Sequence, residues 1–246
     1  AIIFDGGSNQ SITGTPDGAS FAGFDVDNGT TVTLDIDDSG VSPLTISSLG
    51  GSGGNITIGN TNAPTVEAQG TVPGNLILNS TLDLSGQFSL SGDLTLQSGA
   101  TLNAGGETFI FQGGSTQHIR GSVSPSFGTV EISSGTEVEL RTTADVGGTL
   151  DIINGTLDLY DNDGSGDPGG TAAAGGGVSV AGNFSNDGSF ESGSNQGSGQ
   201  SVTFDGSTTL NASGSNAFTG NNSFDDVTIA NGASVTLPSP SGAGNV

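Results

Sequence analysis

The chain has 246 residues, 45 of them glycine, no Cys, Met or Trp, and a formal net charge of -23. Its two basic residues are Arg120 and Arg141, and lysine is absent. This argues against nucleic acid and anionic membrane surfaces as partners, since both are held by clustered Lys and Arg, and no apolar run approaches the ~20 residues of a spanning helix.

Alternation of apolar and polar residues starts at once, in Ile2-Ile-Phe-Asp-Gly-Gly-Ser-Asn-Gln-Ser-Ile-Thr-Gly14. This predicts a strand, a glycine corner and a second strand. A related block, Phe21–Leu34, follows with the pattern F-x-x-[FV]-x-[VI]-x-[NS]-G-x-x-V-x-L. Short strands continue at Leu44-Thr-Ile46, Asn55-Ile-Thr-Ile58 and Thr65-Val66. From Val72 the run is more regular: Leu76-Ile-Leu78, Leu82-Asp-Leu84, Phe88-Ser-Leu90, Leu94-Thr-Leu96 and Ala100-Thr-Leu102, separated by Gly, Ser and Asn.

Both motifs then recur. Phe109–Gly121 repeats the first and Phe127–Leu140 the second, 106 residues after Phe21. Val146–Leu159 and Val178–Phe190 continue the alternation around an insertion at residues 161–177. Val202–Gly214 and Phe224–Leu237 are third copies, 97 residues after Phe127 counted from Phe224. Phe21, Phe127 and Phe224 are expected to point inward at equivalent places. Nowhere do apolar residues keep helical spacing for more than a turn.

Repetition at this scale predicts a stacked architecture. Short strands with Gly or Asn corners suit a string of antiparallel sandwiches or a parallel β-helix. The β-helix is favoured because corners recur every ~6–12 residues without a hairpin signature at each second turn. The expected fold is therefore all-β, a parallel β-helix (β-solenoid) built from internal units of about 100 residues. Those units are 1–106, 107–200 with the loop insertion 161–177, and a partial third unit at 201–246. Coils of roughly 20–25 residues give about ten coils and a rod of ~50 Å. The hydrophobic content of 31% suits such a fold, whose core is a thin continuous strip.

The pattern V-x-F-x-G…Q-x-I-x-G…F-x-x-V-x-I-x-x-G-x-x-V-x-L, followed by V-x-G-x-L-x-I-x-x-G-x-L-x-L, resembles repeats of large secreted bacterial surface proteins. It is most similar to the β-solenoid adhesins of Bacteroidota, and more loosely to filamentous-haemagglutinin and autotransporter stalks. The resemblance covers nearly the whole chain. It implies an extracellular or cell-surface, non-catalytic rod, with no binding residues to carry over. The lack of lysine and the 161–177 insertion depart from the pattern.

Several residues invite a chemical reading. Asp161, Asp163, Ser165 and Asp167 place oxygen ligands at i, i+2, i+4 and i+6 in a glycine-spaced loop, the start of a calcium site. The twelfth position is Ala172 rather than a bidentate Glu, and a solvated acidic loop is the alternative. Acid pairs at i, i+2 (Asp25/Asp27, Asp35/Asp37, Glu137/Glu139) share a strand face at ~7 Å, within the range of glycosidase carboxylates. Polar-out alternation produces such pairs without any catalytic role. The adjacent pairs Asp37-Asp38 and Asp225-Asp226 point to opposite faces. His118 and Arg120 flank Ile119, so an inward Ile119 sends both outward, towards an acidic sugar or a neighbouring carboxylate. Threonine rows are partial, interrupted by Asp, Asn and Ser, which weakens an ice-binding face.

The functional expectation is a non-catalytic structural or adhesive segment of an extracellular surface fibre. It would self-associate head to tail and bind calcium, with surface glycans as further partners. Because the chain starts at a unit boundary, stops inside a unit and has no evident cap, an end-to-end strand contact is expected. The competing readings are a polysaccharide lyase or hydrolase on a parallel β-helix, and a carbohydrate- or ice-binding module. Two arginines are few for the former, and the single Tyr160 without Trp gives the latter no aromatic platform.

Overall fold

The computed structural model describes residues 1–14, 19–27, 29–36, 44–59, 65–159, 176–191, 200–212, 224 and 226–237. These residues form parallel strands and no helix, arranged as a β-solenoid. Three strands make one coil, giving a prism with three faces. Two faces run together into an 18-stranded sheet, and the third is a separate sheet of nine strands. Nine strands are eight steps deep, so the described residues make about eight turns where the residue count led to an expectation of ten. Most coils take about 21 residues, as from Phe88 to Phe109 and from Phe109 to Val130. The coil carrying the insertion takes 34, from Leu150 to Phe184.

Alternation decides what is buried. In Leu76–Leu78 and Leu94–Leu96 the two leucines point inward and the central residue outward. Each inward residue stacks on its counterpart in the next coil. The column Val32, Ile56, Leu76, Leu94, Ile119, Leu140 runs through the third face, and all six side chains are buried. The core is one continuous cluster from Phe4 to Leu210. Its phenylalanines gather in three groups, one near each copy of the repeat. These are Phe4/Phe21/Phe24, Phe88/Phe109/Phe111/Phe127 and Phe184/Phe190/Phe204/Phe224, with neighbouring centroids 4.9–6.0 Å apart. Edge and tilted contacts of this kind add modestly to the burial of the rings.

Glycine sets how closely coils approach at the corners. Gly54, Gly74 and Gly92 stack on one another. A Cβ on Gly74 would lie 2.5 Å from the Gly54 carbonyl oxygen, and one on Gly92 would lie 2.5 Å from the Gly74 carbonyl carbon. Gly128, Gly148 and Gly182 make a second stack, where a Cβ on Gly182 would lie 2.3 Å from the Gly148 oxygen. A side chain at these points would push the coils apart and break the ladder beside the corner.

The three copies of the repeat do not land in identical places. Phe21 and Phe127 share one inward column of the first face, through Ile46, Ala68 and Leu84. Phe127 is buried, while Phe21 is half-buried and packed against the core. In the third copy, Val227 and Ile229 pair with Val202 and Phe204 on the first face. Their counterparts Val130 and Ile132 lie on the second. The third copy is thus turned by one face. A strand–corner–strand motif fits any edge of a prism whose faces are alike, so the motif fixes a corner without fixing which one. Phe224 still points at the core, against Phe184, Phe190 and Phe204.

Because Phe127 is enclosed by Phe109 and Phe111 and Phe21 is not fully covered, the two truncations should differ. Phe127→Ala is expected to cost about 3–5 kcal/mol and Phe21→Ala clearly less, as read from urea denaturation midpoints at constant slope.

Candidate functional site

The outward side of the third face carries two side-chain columns worth following. The first runs Thr31, Asn55, Asn75, Asp93, His118, Glu139, Asp158, Glu191. The second runs Ser11, Thr33, Thr57, Ile77, Thr95, Arg120. The first turns from amides to charges at Asp93, and the second turns from mostly hydroxyls to a charge one coil later, at Arg120.

In the upper coils the corner dipeptide is Gly-Asn, Gly-Asn, then Gly-Asp, at residues 54–55, 74–75 and 92–93. Glycine lets the chain pass close to its neighbour, and the next residue caps the following coil. The Asn55 Oδ1 accepts the backbone N–H of Asn75 at 2.8 Å, the Asn75 Oδ1 that of Asp93 at 2.8 Å, and the Asp93 Oδ1 that of His118 at 3.0 Å. This side-chain ladder satisfies corner N–H groups that the sheet leaves over.

At His118 the ladder becomes ionic. Its Nδ1 lies 3.0 Å from Asp93 Oδ1 and its Nε2 3.2 Å from Glu139 Oε2. A neutral imidazole donates through one nitrogen only, so both contacts are N–H donations only in the imidazolium form. Arg120 Nη2 donates to Asp93 Oδ2 at 2.8 Å, and its Nε reaches Thr95 Oγ1 at 3.4 Å. Arg141 donates to Glu139 Oε2 through Nη2 at 2.8 Å and Nε at 3.2 Å. The only two arginines and the only histidine of the chain therefore sit together on two adjacent coils, clamped between two carboxylates. The cluster is half-buried, with Arg120 its most exposed member at 43% of the side chain. Inside the same strand Gln117 is fully buried. Its Nε2 donates to the Leu90 and Gly92 carbonyls at 3.1 and 2.6 Å, while its Oε1 has no hydrogen-bond partner.

Ile119 is buried, so His118 and Arg120 do project outward together, as the alternation requires. Their partners Asp93 and Arg141 were not singled out from the sequence. The repeated Gly-Asn/Asp corner was the available signal for Asp93. Of the acid pairs, Glu137 and Glu139 share this face. Glu137 accepts from Thr116 Oγ1 at 2.9 Å, so the two carboxylates serve different neighbours. Asp27 accepts from Ser52 Oγ at a corner, 3.0 Å away. Asp37, Asp38 and Asp225 lie outside the described residues, as do Asp161, Asp163, Ser165 and Asp167. Among the described residues no group of three or more His, Asp or Glu side chains forms a metal-holding cluster.

No protein-family model matches this chain, and neither a curated protein nor a solved structure matches it.

Asp93 holds a backbone N–H, an imidazole and a guanidinium at once. Asp93→Ala is expected to cost about 1–3 kcal/mol, as befits a half-buried charged group with several donors. Thermal melts at 10 mM and 500 mM NaCl check this. The deficit should shrink with salt, because only the ionic part of the loss is screened.

Proposed function

We propose that this chain is a structural module of an extracellular surface fibre, a solenoid rod whose terminal coils stack on a second copy, head to tail. The observation that carries this reading lies at the last described coil. Val227 and Ile229 occupy inward positions, in register with the fully buried Val202 and Phe204, yet are 48% and 55% exposed. At the other end Ile2, in register with the buried Phe24, is 39% exposed. The first and last described coils thus present core-type residues outward along the stacking direction, where a further coil, that of a second copy in this reading, would cover them. A parallel solenoid has a direction, so the last coil of one copy fits the first coil of another, and such a contact extends without closing.

The chemistry of the candidate site supports a non-catalytic reading. Both ring nitrogens of His118 are engaged by carboxylates, and both arginines are tied to the same two acids. None of these groups is poised as a free base or nucleophile. The placement outside the cell rests on the resemblance of the repeat pattern to secreted surface solenoids, and glycan binding stays a secondary expectation of that likeness.

The charge of -23 opposes contact between copies, so association should strengthen as salt screens it. Light scattering should show particle mass rising with protein concentration and with NaCl. Val227→Asp should abolish that rise while leaving the circular dichroism unchanged, since the residue is already half-exposed. A monodisperse monomer at high concentration across the salt series would refute head-to-tail stacking.

Calcium at Asp161, Asp163, Ser165 and Asp167 belongs to the same reading, because the sequence there spaces oxygen side chains two residues apart. Calcium should raise the melting temperature relative to chelator, and Asp163→Asn should remove the difference. Identical melts with calcium and with chelator would eliminate the site.

A further inference from the structure

The third face contains a break in its own pattern. In the upper coils its inward pair is Val32/Leu34, Ile56/Ile58, Leu76/Leu78 and Leu94/Leu96, each stacked on the last. In the lower coils the pair is Gln117/Ile119, Val138/Leu140 and Leu157/Leu159. These pairs do not continue the upper ones. Leu94 is in register with Ile119, and Leu96 with Gly121, so the inward pair moves by two residues at this seam. On one side of the strand Gln117 takes the place that Gly92, Gly74 and Gly54 hold above it. On the other, Gly121 takes the place of Leu96, where a Cβ would lie within 1.9 Å of the Leu96 oxygen.

Apolar matching alone does not demand this offset. A strand slipped by two residues keeps every side chain on its own side of the sheet. It would set Gln117 and Ile119 directly on Leu94 and Leu96. It would also leave Gln117 stacked on a leucine instead of donating to the Leu90 and Gly92 carbonyls. The outward neighbours would change as well, with Thr116 facing Asp93, His118 facing Thr95, and Arg120 facing Gln97. Asp93 would lose the facing His118 N–H and its contact to Arg120, and His118 would move to the diagonal place that Arg120 now holds.

We infer that the Asp93–His118–Arg120 cluster, extended by Glu139 and Arg141, is the register lock of this seam. The corner ladder of glycines and amides sets the stacking above, and the ionic cluster selects the offset stacking below. The charges discriminate between registers because the slip leaves Arg120 without a carboxylate and takes from Asp93 both the facing His118 N–H and the guanidinium. The nearest alternatives on this face are Thr95 and Gln97, and the chain holds no other cation. This accounts for the concentration of all the cationic side chains of a strongly acidic chain at one pair of coils. It goes beyond the fibre reading and does not depend on it.

The chain has no cysteine, so engineered pairs report register directly. Gln97 follows Leu96 and Ser122 follows Gly121, and the Ser122 N–H donates to the Leu96 carbonyl at 3.0 Å. In-register neighbours on parallel strands stand ~4.8 Å apart, within disulfide reach, and a two-residue offset puts them beyond it. With the lock intact, Gln97→Cys/Ser122→Cys should oxidise to a disulfide in nearly all molecules. With Asp93→Arg added, like charges face each other, and this disulfide should fall several-fold. The pair Gln97→Cys/Arg120→Cys, combined with Asp93→Asn, should cross-link instead. Exchanging the charges, Asp93→Arg with Arg120→Asp, should restore the Gln97–Ser122 disulfide. An undiminished Gln97–Ser122 disulfide in the Asp93→Arg chain would overturn the inference. Where that chain fails to fold by circular dichroism, failure of the exchanged chain to recover both fold and disulfide would overturn it equally.

Discussion

Stacking at one fixed distance governs this molecule. Parallel strands must lie ~4.8 Å apart to share their backbone hydrogen bonds, so every residue has a close neighbour in the coils before and after it. That single spacing explains why glycines stack on glycines at the corners and phenylalanines gather inside. It also explains why outward residues form columns whose members must tolerate one another. A change at one position is felt by its column more than by its sequence neighbours.

The same spacing makes charge expensive. On all three faces carboxylates meet carboxylates in register: Glu67 with Asp83, Glu131 with Asp151, and Asp158 with Glu191. Like charges directly opposite are destabilising. A chain of net charge -23 with two arginines and one histidine can relieve this in few places. Its basic side chains all sit on two adjacent coils, of which the first, with His118 and Arg120, forms the lower side of the seam where the third face changes its inward residues. Structural role and charge placement therefore coincide there, which sets this cluster apart from a scatter of surface ion pairs, each worth little.

The fold class was legible because alternation with period two, broken by glycine every few residues, leaves few other solutions. Strands such as Leu76–Leu78 and Glu137–Leu140 lie where the alternation put them. What the sequence could not reveal was phase. The V-x-L of Val138–Leu140 reads as the counterpart of Val32–Leu34, yet it is Leu140 that lies in the Val32 column. The third copy of the repeat sits one face away, on the first where the second copy uses the second. Local patterns specify a corner and a facing, and both survive a rotation by one face or a slip by two residues. The candidate site was half visible for the same reason. His118 and Arg120 could be assigned outward from Ile119 between them, whereas Asp93 and Arg141 reach them only through the register of neighbouring coils.

Distances along the two outward columns of the third face test the account most directly. Ser11 and Thr95 are four strand steps apart, and Thr31 and Glu191 are seven. At ~4.8 Å per step these are about 19 and 34 Å. Spin labels on cysteines placed at each pair, measured by pulsed electron resonance, should give two narrow distributions near those values, broadened by the label linkers. Distances that fail to grow with the number of coils, or a broad distribution for the pair spanning the seam, would contradict a single in-register parallel stack.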